Sequence, residues 1–153
     1  MLRDKLGDFS SIICFKAAIT GMEEALGEKA TAIALIAAGR NRGKNLAKEL
    51  GLSRVSLDWD TITDKISFAL GKNGTKLLII ESIVEKDDVI KVSTSETLCS
   101  AGEPEGSSRK CTFTLGAVWG ALEEITGRRL KGTHAECILR GGNNDVFEFE
   151  SLI

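Results

Sequence analysis

The residue types best suited to chemistry lie in the last third of the chain, at Cys111, His134, Cys137 and Asp145. His134 is the only histidine, and Cys137 follows it at i+3. Imidazole and thiolate are both zinc ligands. In an extended strand, however, residues three apart point to opposite faces, so the pair closes on one ion only through a bulge. His134 therefore reads as an exposed strand histidine, and no metal site is expected. Cys111 approaches Cys137 if the helix after it packs on the last hairpin. Arg109 and Lys110 give Cys111 some of the cationic setting that a reactive thiolate needs. A buried free cysteine otherwise behaves as a small hydrophobe. The carboxylate pairs Glu23-Glu24, Asp87-Asp88 and Glu123-Glu124 are adjacent in sequence, so neither member of a pair faces the other as an acid/base couple. Glu124 stands one helical turn before Arg128, the spacing of an ion pair on a solvated face. The run Arg40-Asn41-Arg42-Gly43-Lys44 suits either a solvated helix flank or the mouth of a site for a phosphate or lipid headgroup.

No Gly-rich phosphate loop, nucleophile elbow, H-E-x-x-H or dinucleotide fingerprint occurs. No cofactor is implied, and catalysis ranks last among the readings. The 153 residues, 42% hydrophobic and 27% charged, fit one globular domain over 1–153. A net charge of −2 gives no counterion-release drive toward nucleic acid. The longest apolar stretch, residues 32–39, is too short to span a bilayer, so no stable membrane insertion is expected. The N-terminus has Asp4 and Asp8 where a secretory signal needs an apolar run. The reading is a cytoplasmic protein whose four cysteines are reduced thiols.

Periodicity supplies the elements that must position these groups. Apolar residues recur at helical spacing over residues 11–26, with Gly27 as a stop. A second helix covers about 30–50; its first half is apolar nearly all round and reads as buried. Asp58 or Asp60 caps a third helix that Gly71 closes. The period then changes to that of strands. Residues 76–84 and 88–94 form a hairpin, a loop of glycine, serine and the only proline covers 100–110, and a fourth helix covers about 112–126. A second hairpin, 130–140 with 145–152, closes the chain. Two hairpins and about four helices predict an α+β fold with an antiparallel sheet.

From Cys111 to Phe149 the chain reads CTFTLGAVWGALEEITGRRLKGTHAECILRGGNNDVFEF. This order resembles the C-terminal half of the 4-vinyl-reductase-like, or hydrocarbon-binding, domain family, which shares its fold with small TRAPP-complex subunits. The family's closing signature is similar to E-x-x-C-x-x-x-G-x-x-x-C-x-F. Cys137, Gly141 and Phe147 match it, while His134 replaces the acid and Asp145 the second cysteine. IALIAAGRNRGKNLAKEL looks like the family's glycine-punctuated helix, with Gly39 and Gly43 here. The resemblance spans roughly residues 30–149.

Small residues on the second and fourth helices either let the two backbones touch or leave an apolar cavity. The resemblance favours the cavity. It implies a hydrophobic ligand such as a lipid, a hydrocarbon or a tetrapyrrole precursor, bound by a carrier, sensor or assembly factor. The expected ligand-binding residues are Ile33, Ala34, Ala37, Ala38, Arg40, Gly116, Trp119, Gly120 and Cys137. Leu35, Ile36 and Val118 are further candidate walls. The alternatives are a dimerising scaffold of the TRAPP-subunit type and, third, a component of a pigment vinyl-group reductase. Apolar residues on more than one helix face, together with the resemblance, imply a homodimer.

Overall fold

The computed structural model describes residues 1–152. Helix α1 is Ile12–Leu26, with the Ser11 hydroxyl accepting from the Ile13 amide, and α2 is Glu28–Glu49. Asp58 caps α3, Trp59–Leu70, by accepting from the Thr61 amide at 2.9 Å. Strands β1, Ile79–Lys86, and β2, Val89–Ser95, form the first hairpin. Its two-residue turn, Asp87-Asp88, has φ of 52° and 62°, the left-handed pair that matches strand twist in a tight hairpin. Helix α4 is Phe113–Thr126, β3 is Leu130–Glu136 and β4 is Asp145–Ser151. A single 3-10 turn, Ile138–Arg140, interrupts the second hairpin.

The sheet is antiparallel in the order β1-β2-β4-β3, so the two hairpins join through β2 and β4. This is the α+β architecture that the periodicity predicts. Phe147 and Phe149 of β4 are fully buried beside Ile90 and Val92 of β2. Helix α4 is buried on nearly every face, including Leu115, Val118, Leu122 and Ile125. It lies between α2 and the sheet and positions both sides of the molecule.

The burial expected for the first half of α2 does not hold. Thr31, Leu35 and Gly39 are buried, but Ile33, Ala34, Ala37 and Ala38 are exposed. One face meets α4 and the other meets solvent; alanine is apolar enough to mimic a core position without requiring one. No residue of α1 is buried. Among the described residues no helix is long and apolar enough to cross a membrane.

Candidate functional site

The seam between α2 and α4 is closed. A Cβ on Gly43 would stand 2.7 Å from the carbonyl carbon of Ala117, and one on Gly120 would stand 2.7 Å from that of Arg40. On Gly39 it would meet the Ala117 amide at 2.9 Å, and on Gly116 the Arg40 amide at 3.0 Å. Glycine on both helices lets backbone touch backbone. The cavity expected at Gly116 and Gly120 is therefore absent, and the small residues serve contact. Trp119 caps the seam beside the sheet: its indole N–H donates to the Leu130 carbonyl at 3.0 Å, and its ring meets Phe149 edge-on. Gly132 makes room for this, since a Cβ there would lie 2.9 Å from Trp119. The Arg40 guanidinium sits 4.4 Å over the Trp119 ring and pairs with Glu123 at 2.6 Å. Glu124 bonds Ser53 rather than the expected Arg128, which pairs with Glu85.

The second group centres on Asp145, which is 2% exposed. Its carboxylate accepts from the Ser100 hydroxyl at 2.6 Å, the Thr97 hydroxyl at 2.7 Å and the Ile138 amide at 3.2 Å. His134 Nε2 lies 3.2 Å from it and donates, because the carboxylate only accepts. Burial alone would raise the Asp145 pKa. The bonds from His134, Ser100, Thr97 and Ile138 together outweigh it and hold the carboxyl well below the usual carboxylate range. Burial pushes the Cys137 thiol up, so it is a poor nucleophile at neutral pH.

His134 is thus not the exposed strand residue that its position predicts. The register shifts between His134 and Glu136, and Cys137 leaves the strand to start the 3-10 turn. This bulge defeats the opposite-face argument: the donor atoms of His134, Cys137 and Asp145 come within 4.8 Å of one another. An N/S/O trio of this kind could hold a zinc-like ion. Cys111 does not reach Cys137 as a free thiol either. It forms a disulfide with Cys99, with Cα atoms 5.1 Å apart, which corrects the all-reduced reading and removes a thiolate role for Cys111. Cys14 and Cys137 are free.

The third feature is an apolar cleft of about 760 Å³ between the N-terminal arm with α1 and the outer edge of the α2–α4 seam. Phe9, Ile12 and Phe15 line one side; Leu46, Leu77 and Phe113 line the other, with Arg42 and Lys76 among the polar lining residues. Phe15 meets Phe113 edge-on at 5.4 Å. Lys16 bonds Glu103 at 2.8 Å, and Arg109 pairs with Glu23, so ion pairs to the 100–110 loop hold α1 in place. Sequence reasoning missed this cleft because its lining is scattered from Asp8 to Ala117. Of the expected ligand residues, Ile33 lines a separate cleft of about 510 Å³ and Ala37, Arg40 and Gly120 line a polar groove. Ala34 and Ala38 face solvent, Gly116 is in the seam, and Cys137 belongs to the Asp145 cluster.

No protein-family model and no curated protein matches the chain. Solved structures do. The phenol-responsive sensory domain of the transcription activator PoxR, with phenol, is similar at a TM-score of 0.71 and 11% identity, over 95% of this chain and 76% of that one. Subunit 3 of a trafficking protein particle complex from Naegleria fowleri, covalently bound to palmitic acid, is similar at 0.59 and 14% identity, over 93% of each chain. A vinyl-4-reductase family protein from Methanocaldococcus jannaschii is similar at 0.52 and 18% identity, over 97% of this chain and 86% of that one. The chain therefore has the fold shared by vinyl-4-reductase-like proteins and TRAPP subunits, as its sequence resemblance implies.

Proposed function

We propose that the protein is a binding module for an apolar small molecule, held in the cleft beneath α1, and that it acts as a carrier, sensor or assembly factor. The cleft carries this reading: about 760 Å³ is the size of a small-molecule site, and its walls are aromatic and aliphatic. Arg42 and Lys76 suit a ligand with an acidic end, such as a fatty acid. The phenol and palmitate named for two proteins of this fold support an apolar ligand class at the level of fold alone. This reading includes a cytoplasmic location, against which the Cys99–Cys111 disulfide counts, since a reducing compartment disfavours such bonds.

A dimerising scaffold is the second reading, favoured by one observation: no residue of α1 is fully buried, and Ile12, Ile13 and Leu26 are exposed on it. One set of measurements separates the two. Palmitate and phenol are titrated in a thermal melt, with light scattering on the same samples. Ligand binding predicts a concentration-dependent rise in Tm that Phe15→Glu abolishes. Phe15 is 37% exposed, so the variant should fold. No rise with either compound, together with a dimer that Phe15→Glu splits, would leave the scaffold.

A further inference from the structure

The two flanks of α2 face different surroundings. Gly43 and Leu46 line the apolar cleft, whereas Ala37, Arg40, Asn41 and Lys44 line a groove of about 550 Å³ against the end of α4. Five cationic residues, Arg40, Lys44, Arg54, Arg128 and Arg129, meet only two acidic ones there, Glu123 and Glu124, on a chain whose net charge is −2. We propose that this groove is a binding site for a phosphate-bearing polyanion.

Both acids are already engaged. Glu123 bonds Arg40 and, at 2.9 Å, the Leu130 amide, while Glu124 accepts from the Ser53 hydroxyl at 2.7 Å. Arg40 and Arg128 have their carboxylates in Glu123 and Glu85. Lys44, Arg54 and Arg129 form no ion pair among the described residues. Cations often gather at a helix C-terminus to satisfy its last carbonyls. Main-chain donors already fill that role on α4. The Glu123, Glu124 and Ile125 carbonyls accept from the amides of Gly127 at 2.9 Å, Arg54 at 2.9 Å and Val55 at 3.1 Å. The unpaired charge is thus left over for something outside the chain.

Arg54 is also built into place. Its backbone is left-handed, with φ of 48°, a conformation that a side chain rarely adopts unless its surroundings enforce it. The two main-chain bonds to α4 enforce it, and the stem of Arg54 passes over Gly127, where a Cβ would stand 3.3 Å away. Arg40 is fixed between Glu123 and Trp119. A groove with the Arg40 guanidinium held in place, the stem of Arg54 fixed, and three cations without an ion pair suits phosphoryl oxygens, which accept from arginine forks and lysine alike.

The source of the phosphate is the question the assay divides. One arm is calorimetric titration with sodium pyrophosphate; the other is co-sedimentation with phosphatidylcholine vesicles with and without phosphatidylglycerol. Saturable pyrophosphate binding marks a soluble ligand, and binding restricted to the anionic vesicles marks a headgroup. Either is expected to weaken about twenty-five-fold in Lys44→Glu and in Arg129→Glu, because each reversal changes the charge by two units and one unit near contact distance in water is worth about fivefold. Lys44 and Arg129 are exposed, so both variants should melt like the parent. Lys91→Glu, exposed on β2, is the charge-matched control and should bind as the parent does. Failure of both arms, or an equal loss in Lys91→Glu, overturns the proposal.

Discussion

Alanine at Gly120 tests the closed seam most directly. Within a helix, alanine is favoured over glycine by about 1 kcal/mol, so propensity alone predicts a more stable protein. The structure predicts the reverse. The new Cβ would stand 2.7 Å from the Arg40 carbonyl carbon, where ordinary contact begins at 3.4 Å. The Arg40 carbonyl oxygen lies nearer still, so the helices must part by more than roughly 0.7 Å, and a gap of that size already forfeits a quarter to a half of each dispersion contact along the seam. Overpacking of this kind costs about 1–3 kcal/mol, with the upper half applying because the obstacle is backbone, not a side chain that can turn away. The net loss is about 1–2 kcal/mol, a fall in Tm of roughly 2–8 °C for a chain of this size. Gly21→Ala is the internal control: it lies in α1 with nothing within 4 Å of its added Cβ. It should gain about 0.5–1 kcal/mol and melt higher. Both variants are read by circular dichroism melts under one buffer. A Gly120→Ala protein that melts at or above the parent would mean the helices do not touch, and the reasoning about the seam would fail.

Asp145→Asn should destabilise the protein by about 2–4 kcal/mol at neutral pH, because a buried acceptor loses its charge while Ser100, Thr97 and His134 still point at it. The folded carboxyl titrates below its unfolded value of about 3.9, so its contribution is complete above that value and fades as pH falls through the acid range. The stability gap between parent and variant should narrow below about pH 4, and a gap constant from pH 7 to pH 3 would refute this role. Reduction of Cys99–Cys111 should cost about 3 kcal/mol, from the entropy regained by a short loop in the unfolded chain. Thiol titration in denaturant should count two free cysteines before reduction and four after; four without reductant would refute the pairing.

Helix ends and strand pairs were legible in the sequence because each rests on local chemistry. Gly27, Asp58 and Gly71 act at the helix termini where their side chains, or lack of one, assign them. The change of period after Gly71 marks the sheet. The paired small residues on α2 and α4 were legible as well, but not their meaning. Glycine at Gly43 and Gly120 is compatible with contact or with space, and only the distance between two helices decides. The surroundings of Asp145 were not legible for a related reason. A lone acid among strand residues carries no mark of the hydroxyls at Thr97 and Ser100 that solvate it from forty-odd residues away. The His134 bulge likewise has no local signature in Thr133-His134-Ala135-Glu136, which carries no glycine or proline to mark it.

Helix α1 shows the same limit at larger scale. Its apolar residues recur at helical spacing, which states that a face is to be covered and not by what. In the fold the cover is partial. Phe15 reaches Phe113, yet no residue of α1 is buried, and ion pairs from Lys16 and Glu23 to the 100–110 loop do much of the fastening. These half-buried ion pairs weaken with salt, whereas in the seam beneath backbone packs directly against backbone. The molecule thus joins a rigid layer, α2 and α4 on the sheet, to a loosely held one. Opening α1 sacrifices little buried area, so it belongs to the low-stability end of the fold. An apolar cleft lies at that boundary, and an apolar ligand or a second chain would supply the burial that α1 lacks.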